Sequence, residues 1–172
     1  MTIRIGILTV SDRSSLGVRT DKSGPALAEL VNSQEWLVVN QSILPDEFIE
    51  IRDLLTHWCD AGKFDVILTT GGTGFSPRDI TPEATQAVLD RPAPGLSEAM
   101  RAFSVNITPH AMLSRSISGI RKRTLIVNLP GSPQGAIENL KVIIPVLPHA
   151  VQLLREEHDS ETGHSNPTNP ID

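Results

Sequence analysis

A single cysteine, Cys59, stands among the 172 residues. An intrachain disulfide framework and a multi-thiolate zinc site are thereby excluded, and the fold must rest on its apolar core, as suits a reducing cytoplasm. Long apolar runs are also missing: none approaches the roughly 20 residues that span a bilayer. Met1 leads into Ile3-Arg4-Ile5 without a basic region followed by an apolar one, so neither export nor a membrane partner is expected. Positive charge is in deficit, with 15 Lys and Arg against 20 Asp and Glu and a net charge of −5. That balance argues against long nucleic acids, which need many cations over one face, and leaves room for a small anion. The five histidines, at 57, 110, 149, 158 and 164, show no His-x-x-x-His spacing and are read as surface or core residues. Cys59, on an apolar helix face, is read as an inert buried thiol.

What is present suffices for one core. At 172 residues and 39% hydrophobic content the chain is expected to form one domain, over 1–157, followed by a mobile polar tail over 158–172. Apolar runs rich in β-branched residues at Ile3 to Val10, Trp36 to Leu44, Val66 to Thr70 and Thr124 to Asn128 predict four core strands. Helical spacing between them, at Leu27, Leu30 and Val31 and again from Phe48 to Trp58, gives strand and helix in alternation. This predicts an α/β fold: a three-layer α/β/α sandwich around a mainly parallel sheet, with ligands at the carboxyl ends of the strands. Ser23, Asp46, Thr81 and Ser132 each offer a capping oxygen at a helix start. Pro94 to Val105 suggests a helix, and Ala111 to Ile120 a short helix or strand. The last helix, from Pro133 through Leu154, should be kinked or divided at Pro145 and Pro148.

One segment concentrates the chemistry. Thr69-Thr70-Gly71-Gly72-Thr73-Gly74-Phe75-Ser76-Pro77-Arg78-Asp79-Ile80-Thr81-Pro82-Glu83 joins a strand end, a glycine loop, a cation, two carboxylates and a helix start. Glycine amides approach an anion closely, and a carboxylate beside them suits a metal that bridges phosphate oxygens. The loop is not a Walker loop, which needs Lys-Ser or Lys-Thr after its last glycine, nor the spaced-glycine dinucleotide fingerprint. A second strand end, Asn128-Leu129-Pro130-Gly131-Ser132-Pro133, precedes a helix whose free amides attract anions. Asp46 and Asp79 are the carboxylates singled out as a magnesium pair, although Asp46 also fits a helix N-cap and Asp79 an Asx turn before Thr81. Polar clusters at Ser11-Asp12-Arg13-Ser14-Ser15 and Ser114-Arg115-Ser116 suit a second anionic group. Arg121-Lys122-Arg123 reads as a solvated turn, with a contribution to a local positive field alongside Arg78 and Arg115 as the alternative.

These motifs, with Asp21-Lys22-Ser23-Gly24-Pro25, Leu44-Pro45-Asp46-Glu47 and Pro94-Gly95-Leu96, occur in one order over about residues 4 to 155. In that order the chain resembles the molybdopterin adenylyltransferase family, including the G domain of gephyrin. The resemblance implies the molybdopterin-binding fold, a homotrimer, and transfer of AMP from ATP to the terminal phosphate of molybdopterin with release of pyrophosphate. It implies Mg2+ at Asp46 and Asp79 as the catalytic and metal-holding pair, with Glu83 in support beside Pro82. The amides of Gly71, Gly72, Thr73, Gly74, Gly131 and Ser132 would cradle the nucleotide, Ser11, Asp12, Ser114, Arg115 and Ser116 would face the pterin, and Asn128 and Pro130 would also belong to the binding site. A molybdenum insertase is the implied downstream partner. A scaffold that binds molybdopterin without turnover is the alternative, since a fold does not fix an activity.

Overall fold

The structure is a computed structural model and describes residues 1–155; the expected tail lies outside the described residues. Its sheet contains strands β1 (Arg4–Val10), β2 (Leu37–Leu44), β3 (Val66–Thr70), β4 (Arg91–Pro92), β5 (Ser118–Arg121) and β6 (Thr124–Leu129). Their order is β2-β1-β3-β6-β5-β4. The four strands predicted from apolar runs are neighbours and run parallel. β5 and β4 add an antiparallel edge that the sequence did not predict as such, with β5 inside the segment read as either helix or strand.

Period-two alternation sorts the strand side chains between two cores. Ile5 and Ile7 of β1, Val66 and Leu68 of β3, and Leu125 and Val127 of β6 join one cluster. Leu8, Val10, Ile67 and Ile126, the intervening residues, join the other. The first cluster is covered by α2 (Ser23–Ser33), α5 (Pro94–Val105), α6 (Pro133–Ile143) and α7 (Leu147–Arg155), and the second by α3 (Phe48–Asp60) and α4 (Thr81–Gln86). Each such side chain contributes about 1.5–3 kcal/mol by leaving water. The three-layer arrangement follows from this two-sided burial. A short α1 (Asp12–Ser15) follows β1.

Pro145 divides the last helix as expected, because it has no amide to donate and its ring meets the preceding turn; Ile144–Val146 is a 3-10 turn there. By length and composition Pro133–Arg155 is apolar enough to cross a membrane. Its Ala136, Leu140, Ile143, Leu147 and Val151 are buried in the first cluster, which identifies a core helix pair.

Three of the four expected caps have other duties. Ser132 does cap α6, its Oγ accepting from the Gly135 amide at 3.2 Å. At α2 the amides of Ser23 and Gly24 are taken by Asp21, at 2.9 and 3.2 Å, while the Ser23 hydroxyl donates to the Gly131 carbonyl at 2.8 Å. The Thr81 hydroxyl donates to the Gly71 carbonyl at 2.9 Å, and Asp46 lies outside α3, whose flanking residue is Glu47. Ser23 and Thr81 thus cross-link the loops at the strand ends.

At the opposite end of the sheet Asp65, almost fully buried, holds Arg4 and Arg155. Arg121, the last residue of β5, and Lys122, in the turn after it, pair with Asp60 at 3.1 and 2.9 Å and are therefore remote from the glycine loop. Cys59 packs beside Trp58, whose ring stacks on Phe64 with centroids 4.9 Å apart, and burial pushes its thiol up to about 12.

Candidate active site

The strand order reverses between β1 and β3, and loops diverging there leave a crevice at the carboxyl ends. A cavity of about 340 Å3 occupies this point, lined by Val10, Ser11, Asp46, Thr70 and Gly71 among others. A second cavity, of about 470 Å3, lies alongside and has Ile107, Ala111, Leu113 and Pro130 in its wall. Gly72, Asp79, Gly131 and Ser132 line both, so the two are halves of one cleft.

The glycines of the first loop are there for geometry. Gly71 has φ +99° and Gly72 φ +65°, in the left-handed region that a Cβ disfavours. A Cβ on Gly71 would also run into the Val10 carbonyl, and one on Gly72 would meet the Thr81 hydroxyl and lie 2.8 Å from Asp46 Oδ1. The loop therefore sits hard against β1 and the β2–α3 connection. It is tied to the second loop as well: the Gly71 amide donates to the Leu129 carbonyl at 3.3 Å, and the Thr70 hydroxyl to the Pro130 carbonyl at 2.6 Å.

Not every amide in the expected cradle is free. The Gly71 amide is bonded to Leu129, and the Gly74 amide donates to Asp79 Oδ2 at 2.9 Å. Among the described residues the amides of Gly72, Thr73, Gly131 and Ser132 have no intramolecular acceptor. Those of Gly131 and Ser132 precede α6, whose own first-turn dipoles add positive potential. Three of these N–H groups lie on the shared wall and that of Thr73 in the larger half, an arrangement suited to phosphate oxygens.

Asp79 does not form the Asx turn that remained open for it. Its Oδ2 reaches back to the amides of Gly74 and Ser76, at 2.9 and 3.2 Å, and closes the loop. Asp46 exchanges two bonds with Asp12: the Asp12 amide donates to Asp46 Oδ2 and the Asp46 amide to Asp12 Oδ1, each at 3.0 Å. Arg78 in turn chelates Asp12 at 3.0 and 2.9 Å and reaches Glu47 at 2.8 Å. The Arg78 bonds hold the Asp12 carboxyl below the ordinary carboxylate range. Asp46 moves the other way: burial raises its pKa, and the charges of Asp12 and Asp79 add to the rise against the Asp12 amide bond. Mutual repulsion of this kind is relieved by a cation between the carboxylates.

Asp46 and Asp79 both line the smaller cavity, and each keeps an oxygen, Oδ1, that accepts no hydrogen bond among the described residues. No group of three or more metal-ligating side chains occurs among the described residues. Two carboxylates are enough for Mg2+ when phosphate and water supply its remaining ligands, so the donor set fits an ion that arrives with a phosphate.

The other expected site residues divide. Ser11 lines the smaller cavity, although its hydroxyl accepts from the Ser14 amide at 3.2 Å; Thr73, Gly74, Pro130 and Ser114 line the larger. Asp12, Pro82, Glu83, Arg115, Ser116 and Asn128 line neither. For Asn128 the expectation of a ligand contact is corrected. It is fully buried, its amide donates to the hydroxyls of Thr69 and Thr85 at 2.9 Å each, and its carbonyl accepts from the Ile117 amide at 3.3 Å. Arg115 is likewise turned onto the glycine loop, with Glu83 as its salt-bridge partner. Sequence reasoning missed Arg101 of α5, which lines the larger cavity and holds the carbonyls of Ser114 and Ser116 at 3.0 and 2.9 Å. Its only signal was an arginine on the predicted 94–105 helix, facing a segment of uncertain structure.

A mainly parallel α/β sheet with an amide-lined, carboxylate-flanked cleft at its switch point defines the chain as an α/β protein of the class that places its ligand site at the strand carboxyl ends. Residues 6–149 match the family model described as "Probable molybdopterin binding domain", and the chain belongs to that family. It is 43% identical over 157 residues to a molybdopterin adenylyltransferase of Helicobacter pylori strain J99, covering 89% of this chain and 88% of that protein. It is also 43% identical to gephyrin of Dictyostelium discoideum over 172 residues, covering 94% of this chain but 24% of gephyrin. A crystal structure of the molybdopterin biosynthesis enzyme MoaB from Thermus thermophilus superposes with a TM-score of 0.85 at 48% identity, over 91% of this chain and 98% of that one.

Proposed function

We propose that this chain is a molybdopterin adenylyltransferase acting in molybdenum cofactor biosynthesis, with ATP and molybdopterin as its substrates. The supporting observation is the set of amides of Gly72, Gly131 and Ser132 on the wall shared by two cavities, with that of Thr73 in the larger one, none of which has an intramolecular acceptor among the described residues, together with Asp46 and Asp79 at the smaller cavity. In the reaction a terminal phosphate oxygen of molybdopterin forms a bond to the α-phosphorus of ATP. The bond from that phosphorus to the bridging oxygen of the β-phosphate breaks, and its electron pair leaves on pyrophosphate.

The attacking group is already a nucleophile, so the protein's task is alignment and neutralisation of charge. The amides of Gly72, Gly131 and Ser132 at the shared wall, and that of Thr73 in the larger half, orient phosphate oxygens. Asp46 and Asp79 would hold Mg2+, which supplies positive charge to the phosphates. Ser11 and Ser114, at the outer walls of the two halves, are placed to contact the remainder of the substrates. Ser116 is buried behind Ser114, with the two hydroxyls 3.1 Å apart, and so acts through it. A homotrimer, delivery to a molybdenum insertase and a cytoplasmic location complete the proposal on the ground of family resemblance. Retention of a paired-carboxylate site favours turnover over a scaffold role.

The test is incubation with ATP, Mg2+ and molybdopterin, with mass-spectrometric detection of adenylylated molybdopterin. Asp79→Ala is expected to cut the rate by about 100-fold or more, in line with several kcal/mol of transition-state stabilisation from the metal. No product alongside an active relative would refute the enzymatic reading, and an unimpaired Asp79→Ala would remove that residue from the mechanism.

A further inference from the structure

The crown of the glycine loop, Phe75 to Arg78, is exposed, so apolar packing does little to fix the loop that carries Asp79. Polar fasteners take over that task. Arg115 donates from Nε to the Gly74 carbonyl at 2.7 Å, from Nη2 to the Asp79 carbonyl at 2.8 Å, and from Nη1 to the Glu83 carboxylate. Its backbone amide donates to the Thr73 carbonyl at 2.9 Å. Gly74 and Asp79 are the two ends of the loop, which Asp79 Oδ2 closes from within. One planar fork thus spans both ends and leans on the first turn of α4. It lines neither half of the cleft.

We propose that Arg115, anchored by Glu83, is a positioning residue: it fixes the loop so that Asp79 Oδ1 meets a phosphate-bound divalent cation, and it is not itself a ligand for a substrate anion. This rests on the assignment of Asp79 to metal-assisted phosphate binding made above. Mg2+ demands near-octahedral ligands at about 2.0–2.1 Å, so a loop that drifts by a fraction of an ångström loses the ion. A lysine has one point charge in place of three directed donors and does not reproduce the fork.

The test uses calorimetric titration of the full chain with ATP, without molybdopterin so that no transfer occurs, in the presence and absence of Mg2+. In the natural protein Mg2+ is expected to tighten ATP binding. Arg115→Met is expected to lose about tenfold of that gain, the usual effect of removing a group that orients a metal ligand. Its metal-free affinity should stay within about twofold, since the four free amides are untouched. Arg115→Lys should fall between the two and decides the matter if the methionine variant does not fold. A variant that keeps the full gain overturns the positioning role while leaving Asp79 as a metal ligand. Equal loss of affinity with and without Mg2+ makes Arg115 an anion ligand and also overturns it. Absence of any Mg2+ gain in the natural protein removes the metal reading of Asp79, and this proposal with it.

Discussion

Asp65→Asn removes one charge while keeping the shape of a side chain on which two distant parts of the chain converge. The Asp65 carboxylate accepts from the Arg4 amide, Nε and Nη2 at 2.8, 3.1 and 2.9 Å, and from Arg155 Nε and Nη2 at 3.1 and 2.7 Å. Burial alone raises its pKa, but the bonds from Arg4 and Arg155 outweigh it and bring the carboxyl from an ordinary 3.8 to about 2. At about 1.4 kcal/mol per tenfold change in proton affinity, the ionised form gains roughly 2 kcal/mol from folding. Because the folded value is the lower one, this stabilisation is complete above the unfolded value and is lost as pH falls through the folded one. Asparagine stands in for the protonated acid. The stability difference between natural protein and variant is therefore expected to be roughly 2 kcal/mol near neutrality and to shrink between about pH 4 and pH 2. Urea unfolding followed by tryptophan fluorescence at a series of pH values measures it, with Trp58 buried against Phe64 as the reporter. A neutral-pH difference below about 0.5 kcal/mol, the size of an ordinary surface substitution, would refute the argument, as would a difference that does not change with pH.

Two further perturbations address the cleft. Asp46 must be ionised to face a cation, and its pKa is raised, first by burial and then by Asp12 and Asp79. kcat/KM, which reports the free enzyme, should therefore fall on the acid side through a carboxylate whose pKa is raised, the limb should move to lower pH in kcat once a cation is bound, and Asp46→Asn should abolish it with most of the activity; an acid limb in kcat/KM that is not raised would count against the assignment. Asn128→Ala should cost about 2–3 kcal/mol in urea unfolding without a change of m-value, because it removes the donor of two buried bonds to Thr69 and Thr85, leaves the part-buried Ile117 amide without its acceptor and opens a void between the threonines; a loss under about 1 kcal/mol would contradict the network.

Of the parallel strands, β1, β3 and β6 were legible because they are buried on both faces and read as near-continuous apolar runs, and β2, an edge strand with no fully buried residue, through the β-branched residues at its two ends. β5 was not, since Ser118-Gly119-Ile120-Arg121 has one large apolar residue and its strand character comes from pairing with β6. β4 is only Arg91–Pro92 and carries no periodicity at all. Within the site, the glycine loop announced itself through residue types found together in sequence. The roles of Asn128 and Arg115 did not, because each is set by partners far away in the chain: Thr69 and Thr85 for the former, Gly74 and Glu83 for the latter. Residue type established that Arg115 binds anions or carbonyls; only the fold established which. Ser23 and Thr81 were read as caps for the same reason, since the carbonyls that receive their hydroxyls, at Gly131 and Gly71, belong to other loops.

The lone thiol has a practical consequence for studying the loop. Cys59 is almost fully buried and its pKa is pushed up to about 12, so at neutral pH it offers maleimide reagents neither access nor thiolate. For labelling chemistry the native chain is a blank background. A cysteine placed at the exposed Phe75 position (Phe75→Cys) would be the one reactive thiol among the described residues, and a dye attached there would ride on the crown of the loop that carries Asp79, so that its emission reports whether nucleotide changes the surroundings of that loop.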